Sequence, residues 1–179
     1  MKTLNKEAPD QETPDHETPD KEVLWQIASR INDPEIPVLS IAELGILRAV
    51  ELIGERVKVT ITPTYSGCPA METIRDDLLA EFAREGFSAE IELVLSPAWT
   101  TDWMTESGKA KLAGYGIAPP SGRSGLGSQH TPVRLALAVK CPLCDSLNTR
   151  ELTRFGSTSC KALYKCQDCL EPFDYFKVH

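Results

Sequence analysis

Apolar residues first recur at helical spacing at Val23, Leu24, Ile27 and Ile31, with Asp20 placed to cap the first turn. The pattern stops at Asn32-Asp33-Pro34. The stretch Asp33-Pro34-Glu35-Ile36-Pro37 reads as a rigid turn, because each proline fixes its own φ and keeps the preceding residue out of the helical region. The periodicity then changes to alternation: Val57, Val59 and Ile61 are interleaved with Lys58, Thr60 and Thr62. Residues 46–53 and 56–63 are therefore predicted to form a β-hairpin turning at Gly54. The loop Thr64-Tyr65-Ser66-Gly67-Cys68-Pro69 leads into an amphipathic run that reaches about Glu85 and is ended by Gly86. Residues Glu90 to Leu95 read as a third strand and residues from about Thr105 to Ala113 as a further helix, with Gly114, Gly116 and Pro119-Pro120 closing the unit. The order helix, hairpin, helix, strand, helix predicts an α+β layer, a small sheet with helices on one face.

The flanks lack this patterning. A tandem repeat, Glu12-Thr13-Pro14-Asp15 and Glu17-Thr18-Pro19-Asp20, has almost no apolar residue around it, so residues 1–20 are expected to form a disordered acidic tail. Residues 120–132, rich in Gly and Ser, read as a linker between an α+β domain over 21–119 and a second unit over 133–179.

That second unit carries Cys141-Pro-Leu-Cys144 and Cys166-Gln-Asp-Cys169. Two Cys-x-x-Cys knuckles at this spacing can close one tetrahedral site, and the intervening chain is long enough to run out and back as a hairpin. Four sulfur ligands with no open position favour a structural zinc, with an iron-sulfur cluster as the second choice. At this size an apolar core alone rarely suffices, so the all-β zinc ribbon is expected to fold on its metal.

Composition changes the picture only by exclusion. The chain has 179 residues, 41% of them hydrophobic, with a net charge of -7. No stretch approaches a membrane span, and the polar amino terminus does not resemble a secretory signal. A cytoplasmic, reducing setting is the expectation, in which six cysteines point to metal more than to disulfides. The acidic balance and the lack of a basic stripe argue against nucleic-acid partners.

Outside the knuckles, Cys68 carries the most chemistry. At a helix N-terminus its thiolate is favoured by unpaired amides and the helix dipole, which suits a nucleophile or a metal ligand; a buried, inert thiol is the alternative. A Cys-His enzyme is disfavoured, because His16, His130 and His179 all fall outside the α+β unit. Asp33 and Glu35 stand open between an acid-base pair and a cap beside a solvated charge. Thr100, Thr101, Asp102 and Trp103 either line a pocket or begin a helix. Cys160 reads as a spare or buried thiol, with exchange for one knuckle cysteine as the alternative. No Glu-x-x-His, dinucleotide or phosphate-loop motif is present, so no catalytic residue is assigned.

Asn32-Asp33-Pro34-Glu35-Ile36-Pro37-Val38, Thr62 to Pro69, Ser96-Pro97-Ala98-Trp99-Thr100-Thr101-Asp102-Trp103-Met104 and the segment Phe155 to Tyr164 together resemble the PaaD (PaaJ) family. These are the D subunits encoded with the bacterial phenylacetyl-CoA epoxidase, or phenylacetate-CoA oxygenase. The first domain is similar to the SufT-type iron-sulfur assembly domain, whose signature is the Asp-Pro-Glu turn with the helix-capping cysteine. The resemblance implies a non-catalytic accessory of aerobic phenylacetate degradation that assembles or inserts an iron-sulfur cluster, the reductase component being the client. It implies that Cys68, Asp33 and Glu35 form an iron or cluster site, alongside zinc at Cys141, Cys144, Cys166 and Cys169. The implied partners are the reductase and oxygenase subunits and the iron-sulfur assembly machinery. A docking adaptor of the oxygenase complex, without a cluster role, is the rival reading.

Overall fold

The computed structural model describes residues 19–120 and 139–178. The expected tail before residue 19, the expected linker from 121, and ribbon residues before 139 lie outside the described residues.

Helix α1 (Lys21–Ala28) opens as its sequence predicts: the Asp20 carboxylate accepts the Glu22 N–H at 3.2 Å. It buries Leu24, Ile27 and Ala28 but ends three residues before Ile31, which is buried outside the helix. The Ile31 carbonyl instead accepts the Ile41 N–H, and an Asn32–Ser40 bridge closes the Asp33 turn into a compact loop.

Strands β1 (Leu47–Ile53) and β2 (Arg56–Ile61) form the expected antiparallel hairpin, with Gly54 at φ 63°. Helix α2 (Ala70–Arg84) then crosses back, and β3 (Ser88–Leu93) pairs parallel to β2. The sheet order is β1-β2-β3. Val50, Val57, Val59 and Ile61 join Leu24 and Ile27 of α1 and Ile74, Leu78 and Phe82 of α2 in one apolar core, which is why the helices lie on one face. On the α2 side Glu81 is buried, its charge met by Arg30 at 3.1 Å and by Arg84.

Gly45, at φ +76°, is required twice over. Its backbone lies in the left-handed region, and a Cβ there would fall 2.6 Å from the Trp103 carbonyl oxygen. The close approach seats the 3₁₀ turn Thr101–Trp103 against β1, where Trp103 lies under the Arg48 guanidinium at 3.5 Å, and Trp99 Nε1 donates to the Leu44 carbonyl at 3.1 Å. Thr105 caps helix α3 (Glu106–Gly114) by accepting the Gly108 N–H at 3.0 Å.

The chain continues into β4 (Ile117–Ala118), which joins a second sheet. That sheet has the order β4-β7-β6-β5, built from β5 (Thr149–Thr153), β6 (Lys161–Cys166) and β7 (Pro172–Phe176). The expected hairpin between the knuckles is β5–β6, and β4 runs parallel to β7. The strand-rich carboxyl-terminal region is therefore stitched to the α+β unit by two residues that lie before the expected boundary at 119.

The packing agrees with that stitching. Phe176 and Cys160 belong to the core under the first sheet, and the Phe176 ring meets Trp99 edge-on at 6.0 Å between centroids. Of the aromatics in residues 172–176, Phe176 makes the expected contact with the first unit, while Phe173 packs with Ala118, Val139, Cys141 and Cys166 in a smaller core. Among the described residues no helix is long and apolar enough to cross a membrane.

Candidate functional site

The two knuckles are built alike. The Cys141 N–H donates to the Ser146 carbonyl at 2.9 Å and the Cys166 N–H to the Glu171 carbonyl at 3.0 Å, each closing a six-residue loop around a cysteine pair. The residue after each pair, Asp145 at φ 62° and Leu170 at φ 66°, takes the left-handed conformation that turns the chain back. Asp168 ties one knuckle to the other by accepting from Ser146 Oγ and, at 2.8 Å, from Asn148 Nδ2.

The four sulfurs of Cys141, Cys144, Cys166 and Cys169 all lie within 4.8 Å of one another. The Cys141–Cys169 and Cys144–Cys166 separations are 3.8 and 3.5 Å. A tetrahedron of Zn–S bonds about 2.3 Å long has edges of about 3.8 Å, so the site fits zinc as it stands. The Cys169 amide, 3.5 Å from Cys166 Sγ, is the main influence holding that thiol down to about 6, close to the thiolate a metal requires.

The second site lies where the loop before α2 faces the Asp33 turn. Cys68 sits just before the helix, its N–H donating to the Tyr65 carbonyl at 3.2 Å. The thiolate expected from the helix terminus is not what the surroundings favour. Burial pushes the Cys68 thiol up to about 11; the Ala70 amide pulls the other way, but the negative charges of Glu35, Asp33 and Cys160 add to the rise. Desolvation and like charge outweigh one helix-end amide, so the surroundings of Cys68 favour the thiol over the thiolate.

Asp33 is 5% exposed, and its Oδ1 accepts the Glu35 and Ile36 N–H groups, both at 2.8 Å. Burial raises its pKa, against these two amides and the Lys161 charge. Of the readings left open by the sequence, the cap is what these two hydrogen bonds support for Asp33, and its charge also acts on the Cys68 and Cys160 thiols. Glu35 is half-buried and also raised, by burial first and Asp33 next, with Lys161 opposing. Cys68, Asp33 and Glu35 are within electrostatic range of one another.

Three residues join this group from the ribbon, and the sequence reading missed the connection. Ser159 lies close enough to Tyr65 to oppose the rise that burial gives the Tyr65 hydroxyl. Cys160 is 4% exposed, its Sγ 3.0 Å from Thr158 Oγ1, and it interacts with Cys68, Glu35 and Asp33. Lys161, 4% exposed, balances Asp33 and Glu35, with Asp174 3.8 Å from its ammonium. The only signal in the sequence was arithmetic: after four cysteines are given to the ribbon metal, Cys68 and Cys160 remain.

Beside Tyr65 a cleft of about 400 Å³ runs between the Thr62–Ser66 segment and Leu95, Ala98 and Trp99. The cluster Thr100–Trp103 does not line it; Thr101–Trp103 forms the 3₁₀ turn, with Thr100 extended before it and Thr101 buried.

Comparison with known proteins agrees with both halves. Residues 21–85 match the family model of an iron-sulfur cluster assembly protein, and residues 126–177 match that of the PaaD zinc beta ribbon domain. The four-cysteine centre is accordingly the metal site of a zinc ribbon. An iron-sulfur protein maturation auxiliary factor of Porphyromonas gingivalis is 30% identical over 95 residues, 51% of this chain and 90% of that protein. The Bacillus subtilis maturation auxiliary factor YitW is likewise 30% identical over 95 residues, 51% of this chain and 92% of its own. Across both halves, the Escherichia coli protein named as the D component of 1,2-phenylacetyl-CoA epoxidase is 47% identical over 155 residues, 86% of this chain and 90% of that one. An assembly-type domain stitched to a zinc ribbon, with identity running through both, places the chain in the PaaD family, the D subunits of phenylacetyl-CoA epoxidase.

Proposed function

We propose that this accessory subunit is a maturation factor that transiently holds iron or an iron-sulfur cluster at Cys68, Asp33 and Glu35. It delivers that cargo to the reductase component of the epoxidase, in the cytoplasm, and receives it from the iron-sulfur assembly machinery. The observation that carries the reading is the Cys68 thiol lying within electrostatic range of two carboxylates, inside the segment that matches an iron-sulfur assembly family. A soft sulfur donor beside hard oxygen donors suits ferrous iron, and a half-buried thiol loses its proton only when a cation is there to replace it. Zinc at Cys141, Cys144, Cys166 and Cys169 has no part in this exchange, because four thiolates leave it no open position.

The test is Cys68→Ser, which keeps the size and removes the soft ligand. The variant should keep its zinc and its partners, yet the reductase recovered from such cells should be depleted in iron and acid-labile sulfide, with epoxidase activity lost. Normal cofactor content with failed assembly of the oxygenase complex would instead favour the docking adaptor.

A further inference from the structure

Of the four strands that end a sheet, three are poor templates for further pairing. Strand β4 has two residues, and β1 and β5 each carry an irregular register against their neighbour, between Leu47 and Ala49 and between Glu151 and Thr153. Strand β3 pairs with β2 in unbroken register, from Arg56–Ser88 to Ile61–Leu93, and among the described residues no strand lies beyond it. The Val94 N–H, just past its end, donates to the Ile61 carbonyl at 2.9 Å, so by alternation the N–H and C=O groups of Ala89, Ile91 and Leu93 point away from β2. These backbone groups form a template for one more strand.

The side chains along this edge differ by face. Toward α2, Ile91 and Leu93 line, with Ile61, Met71, Glu72 and Arg75, a groove of about 150 Å³. Leu93 and Leu95 are both exposed, and Leu95 belongs to the cleft beside Tyr65 and Ser66, so an apolar track runs from the groove to the loop that carries Cys68. On the open face of the sheet the edge is acidic. Glu90 and Glu92 are exposed and share Lys58, which lies opposite Glu90 in the register and 3.1 Å from Glu92, while Glu51 faces the same lysine from β1. One ammonium among three carboxylates leaves this row negative.

That pattern selects the occupant. A second copy paired through β3 would set glutamates beside glutamates on one face, and like charges facing across strands are destabilising. An extended segment whose basic side chains alternate with apolar ones meets the glutamates on one face and the leucine track on the other, while its backbone takes the free edge. We propose that the free edge of β3 binds such a segment of the client protein as an added strand that leads to the Cys68 loop. That the occupant is the client rests on the maturation reading above; the pairing rests on the sheet alone.

The test uses full-length, zinc-loaded protein and a fluorescein-labelled synthetic peptide of alternating lysine and valine. Its binding, read by fluorescence anisotropy, should weaken at least about tenfold when the same residues are scrambled out of alternation, or when its amides are N-methylated. Glu90→Lys combined with Glu92→Lys should weaken it as much, and the same charge change at the exposed Glu106 and Glu171 should not. By NMR, the amides of Ala89, Ile91 and Leu93 should exchange freely in wild-type protein and gain protection when the peptide is bound. Equal binding of the scrambled peptide, or no gain of protection at these amides, overturns the inference. So does protection already present without peptide, whether at every concentration, from a segment of the same chain, or only at high concentration, from a second copy. In cells, the Glu90→Lys, Glu92→Lys protein should yield a reductase as poor in iron as Cys68→Ser does. A replete reductase with the edge variant and a depleted one with Cys68→Ser overturns the inference and leaves the maturation reading standing. A replete reductase with Cys68→Ser sinks the maturation reading, and the naming of the client with it.

Discussion

Among single residues, Asp33 shows how one side chain serves the fold and the site together. Its Oδ1 accepts two amides of the turn, of which the Ile36 N–H also reaches the Asp33 carbonyl at 3.3 Å, so Asp33→Ala should cost about 1–3 kcal/mol. Asp33→Asn keeps a carbonyl oxygen for both amides and removes only the charge. Because burial raises the Asp33 pKa above its ordinary 3.8, the folded state prefers the protonated carboxyl. The stability this contributes is present below 3.8 and is lost as the pH rises through the raised folded value. Urea unfolding of the two proteins in parallel should therefore show Asp33→Asn gaining on wild type as the pH rises from about 4, until Asp33 is ionised. If the charge also serves the metal, Asp33→Asn should fold well and still fail to support epoxidase activity. Full activity in that variant would confine Asp33 to its cap.

Among the elements, β7 joins what the chain separates: Phe173 faces the knuckles and Phe176 faces Trp99. Phe176→Ala should cost about 3–5 kcal/mol, the range for emptying a fully buried aromatic site. It should leave the zinc content unchanged while exposing Cys160 to alkylation by iodoacetamide. Persistent protection of Cys160 in this variant would show that the ribbon stays docked without its anchor. The elements themselves were largely legible. Alternation at 57–61, the Asp20 cap and Gly54 specify the first helix and hairpin through local physics, and the knuckle spacing specifies the metal centre. What was not legible lies between elements. Strand β4 has two residues, too few for any period, and the burial of Cys160 in the core that Cys68 packs against depends on contacts that no local pattern encodes. The choice between thiolate and buried thiol at Cys68 stayed open for the same reason: the helix end is visible in sequence, while the burial and carboxylates that act against it are not.

For the molecule as a whole, the two sheets depend on each other more than a linker between them suggests. Sequence alone leads one to expect that loss of the ribbon metal unfolds the region beyond about residue 133 and spares the first unit. The structure gives a different expectation, because Ile117 and Ala118 pair with β7, and Cys160 and Phe176 complete the core that holds Trp99. Structural zinc supplies about 10–16 kcal/mol of apparent folding free energy in small fingers, more than the small second core can replace. Stripping zinc with a strong chelator should therefore abolish amide protection across β5, β6 and β7, and also loosen β4 and the loop at residues 64–69. The hairpin β1–β2 and helix α2, whose buried residues also pack with Leu24 and Ile27 of α1, should keep their protection. Hydrogen exchange read by mass spectrometry on zinc-loaded and stripped protein separates these regions directly. Unchanged protection at residues 64–69 after zinc removal would mean that the Cys68 loop is shaped by its own domain alone. Loss of protection there would mean that zinc in the ribbon maintains the shape of the Cys68 loop through the core that Cys160 and Phe176 complete.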